Sequence, residues 1–168
     1  PSLTTLNVRN NQLRDLSFLD QLPGLTTLNL EYNELTKLTL PAGLEQLVTL
    51  NLRYNGVTSL HFPEGLVSLS ELSVIGNPIT EMFLPEDMKS LLRLDLSGSG
   101  IEEFELIGSD HFLEELRLAN NPLRVLTLPE ELPRLRHLNV DDSKLTDPSF
   151  LAAVPGLEQL DWARGVVE

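Results

Sequence analysis

The side chains of this chain that could act as acid, base, nucleophile or ligand are few and scattered. It has three histidines, His61, His111 and His137, and no cysteine. General acid–base chemistry needs such a group held beside a second one in a pocket. His137 has one candidate partner, Glu115, 22 residues earlier. A Glu–His pair titrates near neutral pH, although a plain surface contact is the commoner use of such a pair. His61 lies between two apolar residues of an alternating stretch and is expected to face solvent, and His111 falls in an irregular segment. Ser97-Gly98-Ser99-Gly100 has the look of a phosphate-cradling loop, but no Lys follows it. Asp141, Asp142 and Asp147 lack the spaced ligand series of a calcium loop. No catalytic, metal or cofactor residue is assigned, and the chain reads as a non-enzyme. What remains is recognition chemistry. Tyr32 and Tyr54 are the only two tyrosines; beside them Arg9, Glu31 and Arg53 alternate in charge, and Ile75 follows. Tyr and Arg are the types enriched where interfaces concentrate their energy.

These residues form one patch only if positions 22 apart are brought side by side, and the sequence provides for that. Leu3, Leu25, Leu47, Leu69, Leu91, Leu113, Leu135 and Leu157 recur every 22 residues. A unit this short cannot bury its own apolar side chains and has to stack on its neighbours as a solenoid. Within each unit the residues after the anchor alternate. Leu28 and Leu30 are apolar while Thr27, Asn29 and Glu31 are polar, the period of a half-buried strand. One strand per unit, always running the same way, gives a parallel ladder. Eight rungs about 4.8 Å apart span about 35 Å. The outward positions form columns: Thr5, Thr27, Thr49, Glu71, Arg93, Glu115, His137, Gln159 in the first, and Asn7, Asn29, Asn51, Ser73, Asp95, Arg117, Asn139, Asp161 in the second. Stacked Thr or Asn side chains can bond across rungs, which accounts for the polar columns. The tyrosines and their charged neighbours are accounted for less well by packing alone. The candidate partner-binding residues are therefore Arg9, Glu31, Tyr32, Arg53, Tyr54 and Ile75, a patch spanning roughly 15 Å of ladder.

A separate Asn column, after each strand, holds Asn11, Asn33, Asn55, Asn77 and Asn121, with Ser99, Ser143 and Gly165 at the same place in three units. A buried amide is costly unless bonded, and Asn can both donate and accept where the chain turns away from the strand. The substitutions by Ser and Gly predict a weaker ladder toward the C-terminal half. The return leg is patterned too: Leu38-Thr39-Leu40-Pro41, Leu60-His61-Phe62-Pro63, Met82-Phe83-Leu84-Pro85 and Leu126-Thr127-Leu128-Pro129. Each predicts a short extended stretch ended by Pro, which cannot donate to a ladder, then about one turn of 3₁₀- or α-helix. Units one and seven, DLSFLDQLPG and DPSFLAAVPG, lack that Pro and predict a more helical turn. Unit five, with Asp110 where other units place an aliphatic residue, predicts an irregularity over 107–112 filled by Ile107 and Phe112. Trp162 takes an inward place and is expected to cover the last layer.

The string L-x-x-L-x-L-x-x-N-x-L, repeated as LTTLNVRNNQL, LTTLNLEYNEL, LVTLNLRYNGV and LSELSVIGNPI, resembles the leucine-rich repeat family over the whole chain. The resemblance implies an α/β solenoid, a horseshoe with a parallel sheet on its concave face. Turns, extended pieces and short 3₁₀ or α segments make the convex face. It also implies protein binding along the concave face. Residues 1–168 read as a single repeat domain. Pro1-Ser2 matches Pro23-Gly24, so the chain opens part-way through a unit, and the natural protein is expected to extend at either end.

Composition narrows the partner. The net charge is −13, which argues against nucleic acid and anionic membranes, and no stretch is long and apolar enough for a membrane span. Acid is densest from Glu81 to Glu115, where it reads first as a solvated surface and second as a steering field for a basic partner. The absence of Cys and of N-x-Ser/Thr sequons leans toward a bacterial protein, whether secreted, on the cell surface or cytoplasmic. The expected function is non-enzymatic recognition of a protein partner on the sheet face. The alternatives are a glycan or cell-wall module, with the tyrosines stacking on a sugar ring, and the targeting segment of a larger enzyme or effector.

Overall fold

A computed structural model describes residues 2–85, 87–106, 112–130 and 132–163. Its strands are three residues each: β1 (Thr5–Asn7), β2 (Thr27–Asn29), β3 (Thr49–Asn51), β4 (Ser59–His61), β5 (Glu71–Ser73), β6 (Glu81–Phe83), β7 (Arg93–Asp95), β8 (Glu103–Glu105), β9 (Glu115–Arg117), β10 (Val125–Thr127), β11 (His137–Asn139) and β12 (Gln159–Asp161). Eight of them form one sheet in the order β1-β2-β3-β5-β7-β9-β11-β12. All neighbours are parallel and offset by one 22-residue unit, as in Leu28 beside Leu50 and Leu50 beside Leu72. The fold is thus a parallel-strand solenoid with little helix, the sheet forming its concave side.

The alternation in sequence becomes alternation in burial because each side chain on a strand points to the opposite face from the last. Leu28, Leu30, Leu50, Leu52, Leu72 and Val74 are all buried, and one continuous apolar core runs the length of the stack. At its far end Trp162 is half-buried and meets Phe150 edge-on, with ring centroids 5.6 Å apart, the covering role its inward phase predicts.

The amide column is bonded as a seam between units. Asn77, 1 % exposed, donates from Nδ2 to the carbonyls of Val74 (2.8 Å) and of Leu52 in the preceding unit (2.9 Å). Its Oδ1 accepts the Val57 N–H at 3.1 Å. Asn33 and Asn55 repeat the pattern. Asn121 extends it by accepting from both Ser99 and Ile101. Where Ser stands in the column the bonding thins. Ser99 Oγ reaches Val74 and Ser97 carbonyls only at 3.3 and 3.4 Å, and the buried Ser143 Oγ has no partner among the described residues. Gly165 lies outside the described residues.

On the outer side, units one and seven carry 3₁₀ turns, Ser17–Gln21 and Ser149–Ala153. Both are entered through the same D-x-S-F-L sequence. Asp15 accepts from the Ser17 N–H and hydroxyl, and Asp147 does the same for Ser149. These bonds hold the Asp15 carboxyl below its ordinary value, the Ser17 hydroxyl contributing most. Units three to six carry short extended stretches instead, paired as β4 with β6 and β8 with β10. The corresponding stretch of unit two, 38–40, forms no strand; after Pro41 there and Pro63 in unit three the chain makes single i→i+3 turns rather than helix, Leu47 N–H to the Leu44 carbonyl and Leu69 N–H to the Leu66 carbonyl. One apolar anchor per segment, Leu44 or Leu66, fixes one turn and no more. The irregularity predicted over 107–112 lies outside the described residues except for Phe112, which is half-buried beneath Arg134 at 4.5 Å.

Candidate partner-binding surface

The strand residues that face outward end in a repeated backbone device. In the second column the side-chain oxygen bends forward to accept the N–H two residues on: Asn7 from Arg9, Asn29 from Glu31, Asn51 from Arg53, Asp95 from Ser97, Asn139 from Asp141. The sequence suggested bonding across rungs. The side-chain oxygens of these Asn and Asp bond locally instead, because the strand ends here and an Asx turn satisfies the first free N–H, while cross-rung bonds involve charged neighbours, from Asn51 to Glu31 and from Arg53 to Ser73. Three residues after the last outward position of the strand comes a sharp bend. Asn10, Tyr32, Tyr54, Gly76, Gly98, Asn120 and Asp142 all hold φ between +52° and +68°.

That column explains Ser97-Gly98-Ser99-Gly100 without a phosphate. Gly98 takes the left-handed place, and Ser99 the amide place. The column also sets the tyrosines apart. Left-handed backbone suits Gly, Asn and Asp, whereas a bulky residue there is an outlier. Tyr32 (φ +53°) and Tyr54 (φ +52°) occupy it nonetheless. Their rings stack at 4.6 Å with an interplanar angle of 13°. Arg9 lies over the outer face of Tyr32, its Cζ 5.5 Å from the ring centroid. On the other side Tyr54 rests against Gly76, where a Cβ would come within 2.6 Å of Tyr54 Cδ1. The result is a cation–ring–ring–backbone stack across four rungs, with both tyrosines more than 40 % exposed.

The remaining patch residues are brought to the same place but differ in exposure. Glu31 is only 9 % exposed, although its phase points it outward. Arg9 (3.7 Å) and Asn51 Nδ2 (3.3 Å) close over its carboxylate. Arg53 is half-buried and donates from Nε to Ser73 Oγ at 2.7 Å. Ile75 is half-buried rather than open. Sequence gave no sign that Glu31 would be covered, because burial here depends on where the Arg9 side chain swings.

Beyond the patch, the middle of the sheet carries a chain of ion pairs that residue spacing could have disclosed. Arg93 meets Glu71 at 2.6 Å and Glu115 at 3.6 Å; Arg117 meets Glu115 and, at 3.9 Å, Asp95. These residues and Arg53 line a shallow depression of about 280 Å³. Glu115 therefore serves two arginines, and no Glu115–His137 pair forms, although the register places them side by side. The depression holds self-neutralised charges, and the Ser73 hydroxyl in its wall is engaged by Arg53. Among the described residues no three His, Cys, Asp or Glu side chains converge as a metal site, and no helix is long and apolar enough to cross a membrane.

Comparison with known proteins agrees with this geometry. Family models for "Leucine Rich repeats (2 copies)" and "Leucine Rich Repeat" match residues 1–42 and 112–135. Among solved structures, a leucine-rich repeat protein of Leptospira interrogans is similar at 31 % identity and TM-score 0.71, over 98 % of this chain and 44 % of that one. The leucine-rich repeat domain of APL1B is similar at 23 % identity and TM-score 0.79, over 95 % of this chain and 47 % of that one. An internalin of Listeria monocytogenes is similar at 19 % identity and TM-score 0.59, over 99 % and 48 %. The last two share the fold alone, and the chain spans less than half the length of each of the three. No curated protein matches. Repeat proteins of this kind are generally non-enzymatic scaffolds for protein interaction. With one sheet rung per 22-residue unit and an amide seam between units, the chain belongs to the leucine-rich repeat family.

Proposed function

We propose that the chain is a preformed recognition scaffold that binds a protein partner on its concave sheet face. Arg9, Glu31, Tyr32, Arg53, Tyr54 and Ile75 form the contact patch. The observation that carries this reading is the pair of tyrosines in left-handed backbone. Residues held in such conformations cost of order 1–3 kcal/mol each and cluster where function maintains them. Stacking returns only about 0.5–1.5 kcal/mol for the pair, so fold stability alone gives little reason for tyrosine at either place. The stack fixes both rings in advance, and little side-chain entropy is lost when a partner lands on them.

The occupied ring faces weigh against the glycan alternative. A sugar stacks on a ring face, but Arg9 covers one side of the stack and the Gly76 backbone the other. Only the ring edges and hydroxyls are presented, and those suit polypeptide. The targeting-segment alternative concerns a longer chain and leaves the role of this surface the same.

The test is affinity capture with wild type and with Tyr32→Asn/Tyr54→Asn, which places a residue suited to φ > 0 at both positions. The expected result is a captured protein lost from the variant, with stability within about 1 kcal/mol of wild type because relieved strain offsets lost stacking. Unchanged capture would overturn the reading. So would a glycan-array signal abolished by the same variant when no protein is captured.

A further inference from the structure

The outer side of the solenoid holds a feature that the concave reading does not use. Four consecutive units carry extended stretches there, yet they form two separate ladders, β4–β6 and β8–β10, with no pairing between β6 and β8. The repeat explains the break. In 22-residue register Glu81 would face Glu103 and Phe83 would face Glu105, and like charges directly opposite destabilise a pair. In a parallel ladder alternate residues turn their N–H and C=O to either side, so each strand leaves one edge unpaired toward the break.

Between those edges lies a cleft of about 600 Å³. Its floor is apolar: Ile79, Met82, Ile101 and Phe104. Its rim is acidic: Glu81, Glu102, Glu103 and Glu105, all exposed. Among the described residues only Glu102 meets a cation, Arg124 Nε at a loose 4.0 Å. Phe83 beside it is 59 % exposed, more than any other large apolar residue described. The carboxylates do not converge as a cation site.

We propose that this cleft is a second docking site, which takes an extended segment of a partner protein carrying Lys or Arg at alternate positions. Alternate side chains of an extended chain fall on one side. Their charged heads reach the four carboxylates while their alkyl stems lie over Met82 and the apolar floor, the divided burial that long cationic side chains favour. Unpaired strand edges accept an extended backbone, and the occupant supplies the positive charge whose absence keeps the two ladders apart. The site is independent of the tyrosine stack on the opposite face.

The probe is a fluorescein-labelled octapeptide alternating Lys with Thr, followed by anisotropy at about 150 mM salt, where the screening length is near 8 Å. Glu81→Gln/Glu103→Gln is expected to weaken binding at least tenfold. The charge-matched control Glu45→Gln/Glu114→Gln, also exposed, is expected to change it less than twofold, and Tyr32→Asn/Tyr54→Asn not at all. A second readout locates the peptide. The chain has two methionines, Met82 on the cleft floor and Met88 buried in the core. With ¹³C-methyl labelling, peptide should move the Met82 signal and leave Met88 in place. Equal weakening by both Glu-to-Gln doubles, absence of binding at millimolar peptide, or an unmoved Met82 signal would overturn the proposal.

Discussion

Replacing Asn121 by Ala removes the most heavily bonded side chain of the seam. Asn121 is 1 % exposed. Its Nδ2 donates to the Leu96 carbonyl at 3.0 Å and the Leu118 carbonyl at 2.8 Å, and its Oδ1 accepts the N–H groups of Ser99 (2.9 Å) and Ile101 (3.0 Å). Truncation strands four backbone groups in two units. A buried group left without its partner costs about 1–3 kcal/mol. Some of the four recover through water entering the space vacated, so the net loss is expected at roughly 2–4 kcal/mol. Asn121→Ser should recover part of it, as Ser99 does at the same place in the preceding unit. Urea unfolding followed by circular dichroism measures the difference, with Thr49→Ala on the sheet face as control. Thr49 is half-exposed, and its side chain sits outside the seam; its loss should cost under about 0.5 kcal/mol. Equal shifts for Asn121→Ala and Thr49→Ala would refute the assignment of inward and outward faces.

Three more outcomes follow from single contacts. Gly76→Ala places a Cβ 2.6 Å from Tyr54 Cδ1 in left-handed backbone; a loss of about 1–2 kcal/mol is expected in wild type and a smaller one in a Tyr54→Asn background, measured as a double-mutant cycle. Ser143→Ala removes a buried hydroxyl that has no partner among the described residues, so stability should hold within about 0.5 kcal/mol or rise, as read from the same urea curves. The Asp15 carboxyl sits below its ordinary value through its bonds to Ser17. Its contribution is therefore complete above the ordinary aspartate pKa and fades as pH falls through the lower folded value. An NMR titration of the Asp15 side-chain carboxyl should show a midpoint below the ordinary value, and Ser17→Ala should return it.

The periodic part of the molecule was open to reading from sequence, and the reasons are local. Leu28, Leu50 and Leu72 had to face one way because alternation and a 22-residue phase admit one arrangement. The 3₁₀ turns at Ser17–Gln21 and Ser149–Ala153 showed in the missing Pro of those units. Features set by side-chain reach did not show. Glu31 has an outward phase yet is covered because Arg9 and Asn51 fold over it. Glu115 sits beside His137 in register but is taken by arginines whose guanidinium groups reach across rungs. The left-handed column was visible only in part: Gly76, Gly98, Asn10, Asn120 and Asp142 suit it, while Tyr32 and Tyr54 disguise it. The split between β6 and β8 needed the pairing itself, although Glu81 and Glu103 standing 22 apart were its sequence trace.

Both surfaces exist only if each unit adds one rung, stacked in register. Because the chain has no cysteine, two spin labels can be placed at chosen sites, Thr5→Cys on β1 and His137→Cys on β11. These strands lie six rungs apart in the sheet, which at about 4.8 Å per rung gives roughly 29 Å. Double electron–electron resonance should return a single narrow distribution centred near that distance, and a broad distribution or one centred beyond about 40 Å would contradict the stacking on which both proposed surfaces depend.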